Sequence, residues 1–160
     1  MEIYILRHGE AEPDATGRAD RDRELTSGGK RDLKSVLQMA RKAGVAPQMI
    51  LTSPLKRAQE TAEIAAEILR VKRVVETRNL LPGASPDLVW KEIGAHHKVE
   101  EILLAGHQPH VGRLAALLLE AAVMVDFKKS ALMRIATQTS LGPPRGVLKW
   151  MLTPKIARGE

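Results

Sequence analysis

The chain contains no cysteine. That excludes a disulfide framework, a thiolate zinc site and a thiol nucleophile. Aromatic residues are almost missing: two Trp, one Tyr and one Phe leave few platforms on which nucleic-acid bases could stack. The formal net charge is +6, but the cations lie in short clusters with acids between them. Such a pattern suits solvated helix faces and attraction to an anionic substrate better than nucleic-acid binding. Long hydrophobic runs are lacking too. The longest, Leu114 to Val125, is broken by Glu120 and is too short to span a bilayer. The first residues carry Glu2 and pass straight into an apolar run, so no signal peptide is visible. These absences predict a cytoplasmic monomer with neither nucleic acid nor membrane as partner. Its 160 residues suffice for one domain, 1–160, with a proper core.

What is present centres on Ile3-Tyr4-Ile5-Leu6-Arg7-His8-Gly9-Glu10. A short apolar run rich in β-branched residues reads as a buried strand. It then delivers a cation, an imidazole and a glycine. Gly9 offers a sharp exit and close approach to a ligand, being free to take φ > 0. Arg7 presents a planar fork of donors suited to phosphate or carboxylate. His8 is by type a nucleophile, a base, a metal ligand or a hydrogen-bonded filler.

Beyond it, Glu10 to Ser27 is a polar loop with Glu12, Asp14, Asp20, Asp22 and Glu24 among Arg18, Arg21 and Arg23. Loops this long are often functional. Leu25-Thr26-Ser27 opens a helix with Leu33, Val36, Leu37 and Ala40 on one face and Gly44 closing it,. Gln48 to Thr52 is a second strand. Ser53-Pro54 follows as N-cap and first helical residue of a helix to about Arg70 that buries Leu55, Ala58, Ala62, Ala65 and Leu69. Arg57 sits in its first turn, where the helix dipole disfavours a cation. Either an anion joins it there or it is an ordinary solvated arginine.

Val71 to Thr77 is a third strand, Asn79 to Pro86 a turn-rich loop, and Pro86 to Ile93 a short helix. His96 and His97 fall in an exposed polar loop. Glu101 to Ala105 is a strand, followed by Gly106-His107-Gln108-Pro109 and a helix from Pro109 to Val123. Ala131–Thr137 and Gly146–Leu152 form strands joined through Leu141 to Arg145, an antiparallel pairing that makes the sheet mixed. No repeat, linker or low-complexity tract interrupts the chain.

Arg7 and His8, Arg57, and His107 thus occupy three strand-to-helix turns. In open α/β sheets ligands bind outside the carboxyl ends of the strands, so distant residues converge there. Two arginines and two histidines make a pocket for a phosphoryl group, in which a neutral imidazole can attack phosphorus. A zinc site from His107, His110, His96 or His97 lacks a carboxylate partner at useful spacing. There is neither a Walker loop nor a dinucleotide fingerprint.

Three blocks together, Leu6-Arg7-His8-Gly9-Glu10, Thr52-Ser53-Pro54-Leu55-Lys56-Arg57-Ala58-Gln59-Glu60-Thr61-Ala62 and Ala105-Gly106-His107-Gln108-Pro109, resemble the signatures of the histidine phosphatase (phosphoglycerate mutase-like) superfamily. The short length, Arg23-Glu24-Leu25-Thr26 and the ending Leu148 to Pro154 are similar to its bacterial phosphohistidine phosphatases. The resemblance implies a three-layer α/β/α sandwich with a mixed, mostly parallel sheet. It further implies a two-step phosphoryl transfer needing no metal or other cofactor. His8 would be the nucleophile; Arg7, Arg57 and His107 would bind and stabilise the transferred group, with Gly9 and Arg23 helping to hold substrate. The family pattern often carries a general-acid Glu after the third strand, where this chain has Asn79. With no room for a capping subdomain, these features predict a phosphatase for phosphohistidine on a partner protein. The alternatives are a small-molecule phosphomonoesterase and a non-catalytic phosphoprotein-binding module.

Overall fold

A computed structural model describes residues 1–14 and 17–160. Ala15 and Thr16, which belong to the polar loop, lie outside the described residues. The strands are β1 (Glu2–Arg7), β2 (Met49–Thr52), β3 (Val74–Glu76), β4 (Glu101–Gly106), β5 (Leu132–Thr137) and β6 (Gly146–Leu152). The α-helices are α1 (Ser27–Lys42), α2 (Lys56–Leu69), α3 (Pro86–Ala95), α4 (His110–Leu118) and α5 (Pro154–Ala157). The sheet runs β3-β2-β4-β1-β5-β6. Its first four strands are parallel, while β5 is antiparallel to both β1 and β6. The sheet is therefore mixed, as predicted.

Alternation along β1 explains the layers. Ile3 and Ile5 join the core beneath α3 and α4, with Val89, Ile93, Leu114 and Leu118. Tyr4 and Leu6 face the other way, against Leu33, Val36, Leu37 and Ala40 of α1 and Ala62 and Ala65 of α2. A strand covered on both faces can be apolar throughout, and burying each large side chain stabilises by about 1.5–3 kcal/mol. Helices on both faces complete the expected α/β/α sandwich. Between β3 and β4 lie only a 3-10 turn, Arg78–Leu80, and α3, so nothing is inserted there that could form a cap.

Several boundaries differ from the sequence reading. α2 starts at Lys56 with Leu55 as its cap residue; the Ser53 hydroxyl accepts from the Leu55 amide at 3.3 Å and also meets His107, and Leu55 itself is only half-buried. The third strand shrinks to Val74–Glu76. It forms the outer edge of the sheet and pairs with β2. The helix expected to reach Val123 ends at Leu118, and Glu120 takes a left-handed φ of 48°. The chain then crosses back in extended form so that Phe127 enters the core.

Candidate active site

Strand register sets the site. Arg7 is paired with Gly106 across β1 and β4, so His8 and His107 leave neighbouring parallel strands at the same level. Their ring centroids are 5.0 Å apart, about one inter-strand spacing. Thr52 pairs with Ala105 on the other side of β4, which brings Ser53 alongside. α2 and α4 both start just past these strand ends, with N-termini whose dipoles favour an anion.

The turn after β1 is fixed on every side. The His8 amide donates to the Gly106 carbonyl at 3.0 Å, and the His8 carbonyl accepts from the Ser130 amide at 3.2 Å. The Gly9 amide donates to the Thr61 hydroxyl at 3.2 Å, which in turn donates to the Arg57 carbonyl at 2.7 Å. Gly9 is needed for space rather than for φ: its backbone is not left-handed, but a Cβ there would sit 3.2 Å from the Gly29 carbonyl and 3.3 Å from Leu25. Gly29 is tighter still, since a Cβ would lie 2.3 Å from the Glu10 carbonyl. Helix α1 is thereby pressed onto the turn.

His8 is 9% exposed. Its Nδ1 lies 2.7 Å from the Gly9 carbonyl. A carbonyl only accepts, so Nδ1 carries the proton and the lone pair of the neutral ring is on Nε2. Burial pushes the imidazole down to about 4, with help from the charges of Arg57, Arg7 and Arg23 and against the pull of the Gly9 carbonyl. The ring is therefore neutral and nucleophilic near neutral pH. His107 is 2% exposed, and burial, then the neighbouring His8 and Arg57, hold it well below its ordinary value. Its Nε2 is 2.7 Å from the Ser53 hydroxyl.

The guanidinium of Arg7 donates through Nη1 to the Phe127 carbonyl. Arg57, 5% exposed, donates through Nη1 to the Asp20 carbonyl at 2.9 Å and meets the Asp20 carboxylate at 3.4 Å. Arg23 donates to the same carboxylate at 2.8 Å, to Asp14 at 3.1 Å and to the Glu12 carbonyl at 2.9 Å. Three buried nitrogens, Nε of Arg7, Nε of Arg57 and Nδ1 of His107, have no partner among the described residues. Buried polar groups are normally paired, and each of these belongs to a residue the sequence had singled out for phosphoryl binding.

The structure thus brings together His8, Arg7, Arg57 and His107, with Gly9 in the turn and Arg23 at the loop edge. His110 is set apart: it is fully buried, and neither ring nitrogen has a partner among the described residues. His97 is exposed and His96 half-buried. Among the described residues, no three His, Cys, Asp or Glu side chains group as a metal site. Asn79 donates through its amide to Glu92 at 2.7 Å, and Thr77 donates to the same carboxylate at 2.7 Å. Two contributors were not seen in the sequence. Ser53 reads in the sequence as a helix cap, although it stands inside the second block. Asp20 reads in the sequence as one acid among five, although it lies one helical turn before Arg23.

A family model, the histidine phosphatase superfamily (branch 1), matches residues 3–81. The chain belongs to the histidine phosphatase superfamily. It is 28% identical over 157 residues to the phosphohistidine phosphatase SixA of Escherichia coli, covering 96% of this chain and 94% of that one. An uncharacterized protein of Picosynechococcus sp. is 40% identical over 119 residues, 72% of this chain and 71% of the relative. A solved structure of the protein histidine phosphatase SixA complexed with tungstate superposes with a TM-score of 0.88 at 27% identity, over 96% of this chain and 97% of that one. The mixed six-stranded sheet is thus the phosphoglycerate mutase-like fold, and both SixA similarities support phosphatase activity. Among the described residues, no helix is long and apolar enough to cross a membrane.

Proposed function

We propose that this protein removes the phosphoryl group from phosphohistidine on a partner protein, through a covalent phospho-His8 intermediate and without a metal ion. The observation that carries the reading is the Nδ1–H of His8 held on the Gly9 carbonyl. It presents Nε2 as the attacking atom. In the first step Nε2 forms a bond to phosphorus while the bond from phosphorus to the substrate's imidazole nitrogen breaks. In the second, water attacks phosphorus, the P–Nε2 bond breaks, and inorganic phosphate leaves with the proton balance closed by water. With Nε2 phosphorylated and Nδ1 protonated the ring is cationic, which the Gly9 carbonyl stabilises. His8 then departs as a neutral imidazole. Arg7, Arg57 and His107 supply fixed donors to the phosphoryl oxygens, the unpartnered Nε–H groups of both arginines among them, and Gly9 and Arg23 help to hold the substrate. That the related SixA structure holds tungstate, a tetrahedral oxyanion, supports the same use of the pocket.

Phosphohistidine is favoured over an alkyl ester by the acids. Glu10 is paired with Lys129 at 3.2 Å, Glu76 with the Gln59 amide at 2.7 Å, and Asp20 with Arg23 and Arg57. Asn79 stands where the resemblance expects a general acid. An alkoxide leaving group needs such an acid, usually worth about 10²–10⁴-fold; a substrate imidazole protonated on its other nitrogen does not, since its conjugate acid has a pKa of about 6.5. The purified protein should therefore turn over a phosphohistidine protein and phosphoramidate far faster than 3-phosphoglycerate, with an aryl phosphate between, and should keep its activity in EDTA. Equal efficiency on 3-phosphoglycerate would point to a small-molecule phosphomonoesterase instead.

A further inference from the structure

The polar loop folds back so that one of its acids reaches the site. It is closed at its base by the Ala11–Leu25 bridge and by the Glu12 amide on the Glu24 carbonyl at 2.9 Å. Its 3-10 turn, Asp20–Asp22, packs against α2. There the Asp20 carboxylate lies between Arg23, at 2.8 Å, and Arg57, at 3.4 Å. Its side chain is 58% exposed, whereas that of Arg57 is 6% exposed. A carboxylate and a phosphoryl group ask the same thing of an arginine: two parallel N–H donors and a positive charge.

We propose that Asp20 is a built-in stand-in for the phosphoryl group, an internal counter-ion that shares Arg57 with the substrate and sets how tightly the site holds a free oxyanion. The unequal distances support this. The Arg23 contact is short and includes a second donor, Nε, at 3.0 Å, so it is the anchor. The Arg57 contact is long and half in solvent, where an ion pair contributes little, so it is the exchangeable one. A phosphoryl dianion brings more charge and shorter charge-assisted bonds and displaces the carboxylate from Arg57, while Arg23 keeps it close enough to return. Burial alone would raise the Asp20 carboxyl, but Arg57 and Arg23 hold it below its ordinary range; it stays ionised and repels an incoming anion that cannot take Arg57 from it. The inference rests on Arg57 being a phosphoryl ligand, whatever molecule carries the phosphoryl group.

Inorganic phosphate is the probe, with binding measured directly by calorimetry and its inhibition constant measured against an aryl phosphate. Asp20→Asn keeps the shape and removes the charge, and is expected to bind phosphate roughly 3- to 10-fold more tightly. Asp20→Glu should return the affinity to about the starting value. Asp22→Asn, whose carboxylate pairs with exposed Arg21, should leave it unchanged. Weaker or equal binding by Asp20→Asn would overturn the proposal and make the carboxylate a support that orients Arg57. Arg57→Ala tests the underlying assignment separately: it should lose phosphate binding, and undiminished binding there would remove Arg57 from the site whatever Asp20→Asn does.

Discussion

The two walls of the site are built differently. One is made of strand ends: His8, Ser53 and His107 follow β1, β2 and β4, are nine-tenths or more buried, and are tied to backbone or to one another at 2.7–3.2 Å. The other is the loop carrying Asp20 and Arg23, closed by one bridge and held to the first wall by Arg57. On the strand side, bond angles and register fix each atom, as electrostatic stabilisation of a transferring group requires. On the loop side, two hydrogen bonds to backbone carbonyls are joined by ion pairs with partners as exposed as Asp14, whose side chain is 82% accessible. Such pairs exchange readily with solvent and substrate. Under the proposed function, chemistry belongs on the first wall and admission of the substrate on the second.

The hardest test of that division is His8→Ala. Removing a nucleophile typically costs on the order of 10⁴–10⁶ in kcat, and acid-labile label from a brief, denaturant-quenched reaction should vanish with it. Full turnover by the variant would dismantle the strand-side assignment.

Next in size is Ser53→Ala. The hydroxyl touches no reacting atom in the proposed steps; it positions His107. Losing one hydrogen bond that orients a catalytic ring should lower kcat roughly tenfold while leaving KM nearly unchanged, and Ser53→Thr should restore most of the rate. A change confined to KM would move Ser53 out of this role.

Arg23→Ala probes the opposite wall. Because Arg23 holds the loop through Asp14, Asp20 and the Glu12 carbonyl, its loss should raise KM by roughly 3- to 10-fold with kcat within about threefold. A drop of about 10²-fold in kcat, the size expected for a preorganised donor, would put Arg23 on the rigid wall after all.

The smallest effect is on stability, and it separates the walls by pH. Burial, above all, depresses His8, to about 4, and likewise holds His107 and His110 below their ordinary values. The unfolded chain takes up protons near pH 6.5 that the folded chain refuses until lower pH. Histidine-linked stability is therefore complete above about pH 6.5 and declines as the pH falls towards about 4, by at most about 1.4 kcal/mol per pH unit for each buried ring. Thermal melts from about pH 7 to about pH 5 should show a falling midpoint, and His110→Leu should flatten the decline. A midpoint indifferent to pH over that range would mean the rings protonate in place. The acid limb of activity should likewise fall nearer pH 4 than 6.5, since His8 must be neutral to attack,.

Much of this was legible in the chain. The apolar alternation of β1, the helical spacing in α1 and the three strand-to-helix turns are local patterns, and local patterns survive folding because each strand or helix must bury the side chains it presents. They placed Arg7, His8, Arg57 and His107 at turn positions. Boundaries differ from the local pattern where a side chain has a distant partner. Ser53 reads as a helix cap, and its hydroxyl does accept from the Leu55 amide, but it also meets His107, 54 positions away. The helix expected to reach Val123 stops because the segment up to Phe127 must return to the core and leave a carbonyl on Arg7.

What the sequence by itself determined was therefore the parts: which residues end strands, which open helices, and which types of donor stand there. What only the tertiary structure decided was their adjacency. The order β3-β2-β4-β1-β5-β6 sets β4 between β1 and β2, and that non-consecutive pairing, together with the Arg7–Gly106 register, puts two imidazoles one strand apart. It also lets a loop acid find Arg57, a contact spanning 37 positions. No period within a segment can report such a contact, because hydrophobic periodicity says which face is buried and not against what.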